Sequence, residues 1–253
     1  MTATKIEWTE ATWNPTVGCT KVTAGCKNCY AEIMAKRLQA IGTRGYENGF
    51  DFTLLPDRLS QPLAIKKPTK FFVNSMSDLF HEKMPFEYLD SIFNIINKTP
   101  QHSYQILTKR EKKLKKYFEK RKVPSNVWLG VTVEDENTKN RIDILKSIEA
   151  VVRFVSIEPL IGDLGLLDLS GVHWVIVGGE SGSKARPMDP EWAKNIQKQC
   201  KKQNVAFFFK QWGAWGEDGK KRSKYANGSL LFGKEWKEEP EIIKISEVSK
   251  NEK

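Results

Sequence analysis

Trp174-Val175-Ile176-Val177-Gly178-Gly179-Glu180-Ser181-Gly182 is an apolar run that breaks abruptly into glycine, a carboxylate and a hydroxyl. A short, nearly continuous apolar segment rich in Val and Ile reads as a strand buried on both faces, as in a parallel sheet covered by helices. Similar runs lie at 71–74, 104–107, 127–132, 152–156 and 205–209, and a weaker first strand is expected within 6–13. Between them the spacing becomes helical. Leu89, Ile92, Phe93 and Ile96 form one stripe of a helix expected over 86–97, after Pro85. Further helices are expected over 30–41, 112–122, 136–148 and 190–203, the last entered through an N-cap and first-turn proline, Asp189-Pro190. This alternation predicts an α/β fold with a mostly parallel sheet, and six or seven strands suit a partial or full (β/α) barrel. The barrel domain is expected over 1–216, with insertions near 42–70 and 157–173. Periodicity is lost after Gly216, so 217–253 is expected to be a short C-terminal appendage whose end is disordered.

Ligands of parallel α/β folds gather at the carboxyl ends of the strands. Those ends carry Asn74-Ser75-Met76-Ser77-Asp78, Thr108-Lys109, Thr132-Val133-Glu134, Ser156-Ile157-Glu158-Pro159, Gly178-Gly179-Glu180-Ser181-Gly182 and Lys210-Gln211-Trp212. One or two polar exits mean little, because loops are polar; six on one rim point to an active-site mouth.

The 253 residues carry a formal charge of +10, which favours a polyanionic partner, nucleic acid first. Between residues 109 and 122 nine basic residues stand against Glu111 and Glu119, a local net of +7. A solvated helix face would have the same composition. No apolar run approaches the ~20 residues that cross a bilayer. The N-terminal stretch lacks the apolar segment and cleavage site of a signal peptide, so no membrane association and a cytoplasmic location are expected.

Three of the four cysteines fall within eleven residues, as Cys19-x6-Cys26-x2-Cys29, with Gly18 and Gly25 preceding two of them. Clustering of this kind in a cytosolic chain points to metal or redox chemistry rather than disulfides. Three thiolates on a short loop suit three irons of a [4Fe–4S] cluster, leaving the fourth iron open. Structural zinc is the competing reading. It wants four ligands, usually in two close pairs, whereas this segment has one tight pair and no histidine nearby. Cys200, on the expected last helix, reads as a buried structural cysteine.

The cysteine segment, from Val17-Gly18-Cys19 through Gly25-Cys26-Lys27-Asn28-Cys29-Tyr30-Ala31, resembles the radical S-adenosylmethionine (SAM) superfamily, and within it a phage-associated three-cysteine branch. That branch also has segments similar to 128–134, 156–160, 177–182 and 210–213, so the resemblance runs from about residue 5 to residue 216. It departs from the superfamily's commonest C-x3-C-x2-C spacing in its first gap, and Asn28 stands where an aromatic residue usually precedes the third cysteine. The resemblance implies a partial barrel of the radical SAM type, a [4Fe–4S] cluster on Cys19, Cys26 and Cys29, SAM as cofactor, an electron donor, and a 5′-deoxyadenosyl radical that takes a hydrogen atom from substrate. A partner protein is compatible with it.

On that reading Asn74, Ser75, Ser77 and Asp78 are candidates for holding the methionyl part of SAM. Gly178, Gly179, Glu180, Ser181 and Arg186 are candidates for the rest of the cofactor. Glu134, Glu158 and Lys210 are the candidate catalytic residues, with Thr132 and Ser156 beside them. Each has a plainer role open to it: a cap for Asp78, a strand-to-helix turn for the glycines, a surface position for Arg186, an ion pair for Glu158 with Lys210. Trp212 suits a stacking platform or a core lid. The expected function is a radical SAM enzyme modifying or repairing nucleic acid or a nucleotide. The alternative is a nucleic-acid-binding protein whose three cysteines hold a structural metal.

Overall fold

The computed structural model describes residues 4 and 6–241. Its strands are β1 (Ala11–Trp13), β2 (Thr16–Val17), β3 (Thr53–Leu54), β4 (Lys70–Val73), β5 (Ser103–Thr108), β6 (Val127–Thr132), β7 (Val152–Ile157), β8 (Trp174–Gly178) and β9 (Ala206–Gln211). The helices are α1 (Tyr30–Ala40), α2 (Phe86–Lys98), α3 (Glu111–Phe118), α4 (Arg141–Lys146) and α5 (Pro190–Lys202). Seven strands form one sheet in the order β1-β4-β5-β6-β7-β8-β9. With β1 and β9 as its edges among the described residues, the sheet has the connectivity of a partial (β/α) barrel, and the closed barrel is not formed. No described helix is long and apolar enough to cross a membrane.

The chain divides into two compact units. The first comprises Met1–Val22, Cys29–Gly130 and Ile148–Ala150. Here β1, β4 and β5 pair in parallel, with Ala11 opposite Phe71 and Phe71 opposite Tyr104. The expected stripe of α2, Leu89, Ile92, Phe93 and Ile96, is buried. Removing each such side chain from water contributes roughly 1.5–3 kcal/mol. α3 ends at Phe118, earlier than the periodicity suggests. Its buried side chains stop there, and the charged residues that follow lead into Pro124, which cannot continue a helix.

The second unit comprises Thr23–Asn28, Val131–Ser147 and Val151–Lys253. β7, β8 and β9 pair in parallel, and every residue of β8 is buried. The helix expected over 136–148 is two pieces, a 3-10 turn at Glu136–Thr138 and α4. Asp135 and Thr138 close a capping box that satisfies the turn's own donors, so the first turn does not run on into the helix. α5 starts as expected, with Asp189 Oδ1 accepting from the Glu191 N–H at 2.9 Å. Cys200 lies on its buried face, and burial pushes the thiol up to about 12.

After residue 216 come a short helix, α6 (Lys224–Asn227), and a hairpin of β10 (Leu230–Leu231) with β11 (Lys234–Glu235). The segment behind them lies along the outer edge of β9. Phe209 N–H donates to the Trp236 carbonyl at 2.9 Å, and Trp174 Nε1 donates to the Glu238 carbonyl at 2.8 Å. This appendage thus covers a strand edge. The expected disorder falls after residue 241, outside the described residues.

Candidate functional site

In the first unit the approach to Cys19 is built by the loop that follows β4. Asn74, buried and at a φ of +61°, donates from Nδ2 to Thr16 Oγ1 at 2.8 Å. Ser75 Oγ donates to Asn14 Oδ1 at 3.2 Å, and Ser77 Oγ to the Gly18 carbonyl at 2.6 Å. Gly18 N–H donates to the Met76 carbonyl, and Cys19 N–H to the Phe50 carbonyl, both at 3.0 Å. Gly18 has a φ of +77°, and a Cβ on it would stand 2.1 Å from the Asp51 carbonyl oxygen. Only glycine fits there.

Arg110, just past the end of β5, commits all five N–H donors. Nη1 reaches Cys19 Sγ at 3.4 Å and Asp78 Oδ2 at 3.0 Å, Nε reaches Glu82 Oε2 at 2.8 Å, and Nη2 reaches the Thr20 carbonyl and hydroxyl at 3.0 and 2.9 Å. Burial alone would lower its pKa, but Asp78 and Cys19 beside it raise it instead. Glu82 is likewise held at about 2. Burial opposes that shift and the donors Thr20 and Arg110 outweigh it. Asp78 also accepts from Thr108 Oγ1 at 2.6 Å and from the N–H groups of Phe80 and Lys109 at 2.9 and 3.0 Å. Lys113 Nζ caps the carbonyls of His81, Glu82 and Met84.

Cys29 is the residue before the first turn of α1, and it packs against a cluster of Val17, Ala31, Ala35, Tyr46, Leu55 and Met76. A helix N-terminus favours negative charge beside it, which suits a thiolate. Tyr30 Oη donates to the Ser75 carbonyl. Beside Cys19 a cavity of about 390 Å³ opens, lined in part by Lys21, Glu32, Lys36, Gln39 and Asp51. Glu32 bridges Lys21 and Lys36 there, at 2.9 Å each.

In the second unit Cys26 ends a 3-10 turn resting on Glu134. Thr23 Oγ1 donates to Glu134 Oε1 at 2.8 Å, and a Cβ on Gly25 would come within 2.5 Å of the same oxygen. Glu134 is fully buried and paired with Arg141 Nη1 at 3.0 Å. Asn28 Nδ2 donates to Glu180 Oε2 at 3.0 Å, while Arg186 grips Glu180 through Nε at 3.0 Å and Nη2 at 2.6 Å. Burial would raise the Glu180 pKa, and the Arg186 donors hold it below the usual carboxylate range.

The remaining candidates also have partners inside the unit. Lys210 binds both oxygens of Glu158, at 2.7 and 3.0 Å. Ser181 Oγ accepts from Gln211 Nε2 at 3.0 Å. Gly179 is approached by the Trp212 carbonyl, which would lie 1.9 Å from a Cβ. Trp212 is buried and donates to the Leu230 carbonyl at 2.6 Å, as a core lid would. Thr132 and Ser156 are buried.

The family model described as protein of unknown function, DUF5131, matches residues 3–240. The chain belongs to the DUF5131 family. No curated protein matches it. Among solved structures it is similar to a cysteine-to-alanine mutant of spore photoproduct lyase with dinucleoside spore photoproduct, at 12% identity and a TM-score of 0.48, over 81% of this chain and 64% of that one. A cysteine-to-alanine mutant of the same lyase matches at 13% identity and a TM-score of 0.46, over 85% of this chain and 68% of that one. A doubly substituted mutant with bound AdoMet and dinucleoside spore photoproduct matches at 12% identity and a TM-score of 0.43, over 81% and 64%. The chain therefore spans about 64% of the length of the first of these structures.

In this DUF5131 chain Cys19, Cys26 and Cys29 are half-buried thiols outside any disulfide. Among the described residues no three Cys, His, Asp or Glu side chains are grouped as a site for a single metal ion. By donor chemistry the three fit an iron–sulfur cluster: soft, outside any disulfide and partly exposed, on eleven residues of chain. Sequence reading passed over Arg110, Thr20 and Glu82, and noticed Asn28 only as a departure from a motif. Arg110 was hidden in a basic run, although its place two residues past Thr108, at a strand exit, was a usable signal.

Proposed function

We propose that this DUF5131 protein is an iron–sulfur radical SAM enzyme acting on a nucleic acid or nucleotide, with Cys19, Cys26 and Cys29 as the cluster ligands. One observation carries the reading: three thiols lie within eleven residues, on a segment held in part by Ser77, Arg110, Glu134 and Glu180, side chains that follow strands. When bound, a [4Fe–4S] cluster with SAM on its open iron would supply the 5′-deoxyadenosyl radical. The chain's own part is to hold the thiols and to exclude water. Ser77 and Arg110 fix the Cys19 segment, Glu134 supports the turn that ends at Cys26, and Glu180 with Arg186 holds Asn28 beside Cys29. Asn74, Ser75, Ser77 and Asp78 would serve SAM mainly by keeping this loop in place, since their polar atoms already have partners. Gly178 and Ser181 remain candidates near the cofactor, and Glu158 with Lys210 is a partly exposed pair that a substrate can meet.

The exposed lysines of α3 and its continuation, Lys112, Lys115, Lys116, Lys120 and Lys122, support a polyanionic substrate. The test is anaerobic reconstitution with iron and sulfide, followed by dithionite and SAM, with Cys29→Ala as control. The expected product is 5′-deoxyadenosine, lost in the variant. A protein that retains zinc and leaves SAM intact would support the structural-metal alternative instead.

A further inference from the structure

We infer that Arg110 sets the reduction potential of the cluster through its contact with Cys19; this rests on the cluster reading above. The guanidinium is nearly buried, its side chain 9% exposed, yet it is not spent on one ion pair. Four of its five N–H groups are taken by Asp78, Glu82 and the two oxygens of Thr20, which fix its plane. The fifth points at Cys19 Sγ at 3.4 Å. A planar, permanently charged fork locked at four points cannot swing away, so the N–H···S contact is imposed by the protein.

A thiolate bound to iron becomes more negative when the cluster is reduced. A hydrogen bond and a fixed positive charge at that sulfur therefore favour the reduced state and raise the potential. Glu82 sits on the far side of the guanidinium, 2.8 Å from Nε, with its side chain 54% exposed. Its negative charge offsets part of the Arg110 charge, and its removal acts in the opposite sense. Among the described residues no arginine hydrogen-bonds Cys26 or Cys29, so the bias falls on one ligand of the three.

This assignment makes Arg110 a positioning residue, and two variants test it by spectroscopically monitored redox titration of the reconstituted protein. Arg110→Lys keeps the unit charge and loses the fork; its midpoint should move below that of the wild type with iron content retained. Glu82→Gln, at an exposed position, keeps an acceptor for Nε and loses the charge; its midpoint should move above the wild type, by a smaller step. Opposite shifts are the signature, because a purely structural arginine gives none. Midpoints that match the wild type in both variants, or that move in the same direction, would overturn the inference while leaving the cluster reading intact. A wild-type protein that takes up no iron and sulfide would instead remove the reading on which it rests.

Discussion

At Gly179 a Cβ would meet the Trp212 carbonyl oxygen at 1.9 Å, whereas at Gly178 the nearest atom is Glu158 Cδ at 3.3 Å. The two glycines look alike in sequence and differ in what they face: backbone cannot retreat, and a carboxylate side chain can. Gly179→Ala should therefore cost about 3 kcal/mol or more in urea unfolding, and Gly178→Ala within about 1 kcal/mol. Equal losses would show that the close approach of the 212–213 backbone is not what demands glycine. His173 gives a second residue-scale expectation. Its Nδ1 accepts from the Arg153 N–H at 3.0 Å, and burial first, then the Arg153 charge, lower its pKa to about 4. The unfolded chain binds that proton more readily, so stability should rise with pH between about 4 and about 6.5 and be lost on acidification through the same window, by about 2 kcal/mol. His173→Asn, which keeps an acceptor and removes the titration, should flatten the slope there, as followed by urea unfolding at a series of pH values.

At the scale of an element, α3 has two faces with different duties. Lys113 caps carbonyls, and Arg121, just beyond the helix, binds Asp90 and lies over the Tyr117 ring at 4.5 Å, so part of the basic run belongs to the structure. Lys112, Lys115 and Lys116 are exposed on the other face. Their triple substitution to alanine should weaken oligonucleotide binding and make the slope of log K against log salt shallower by about 2 to 3, with unfolding unchanged. Binding with an unchanged slope would assign this face to solvation alone. The strands, the stripe of α2 and the start of α5 were legible from the sequence, because burial on a fixed period leaves apolar residues at fixed positions. The polar exits were legible as positions and residue types, and their partners within the protein were not. Asn74, Ser77, Glu134 and Glu180 are the residue types that bind a ligand, but a loop that leaves the sheet has its own unsatisfied donors and acceptors, and these side chains answer them. Which need a strand-end residue meets depends on contacts distant in sequence: the pair of Lys210 with Glu158, 52 residues apart, was open as one reading, whereas no local pattern encodes Asn28 with Glu180, 152 residues apart.

For the whole molecule, the +10 charge and the clustered thiols are independent features, one bearing on the partner and the other on the chemistry. The side chains that brace the thiol-bearing segments within each unit give the second feature its weight: Arg110 holds Cys19 in the first, and Glu134 and Glu180 hold Thr23 and Asn28 in the second. What those braces hold can be counted. Iron, acid-labile sulfide and zinc should be counted per chain after anaerobic reconstitution, in the wild type and in Cys19→Ala, Cys26→Ala and Cys29→Ala. About four iron and four sulfide per chain are expected in the wild type, with a marked loss in each variant. About one zinc per chain with no sulfide would contradict the cluster reading, as would full iron retention in any of the three variants.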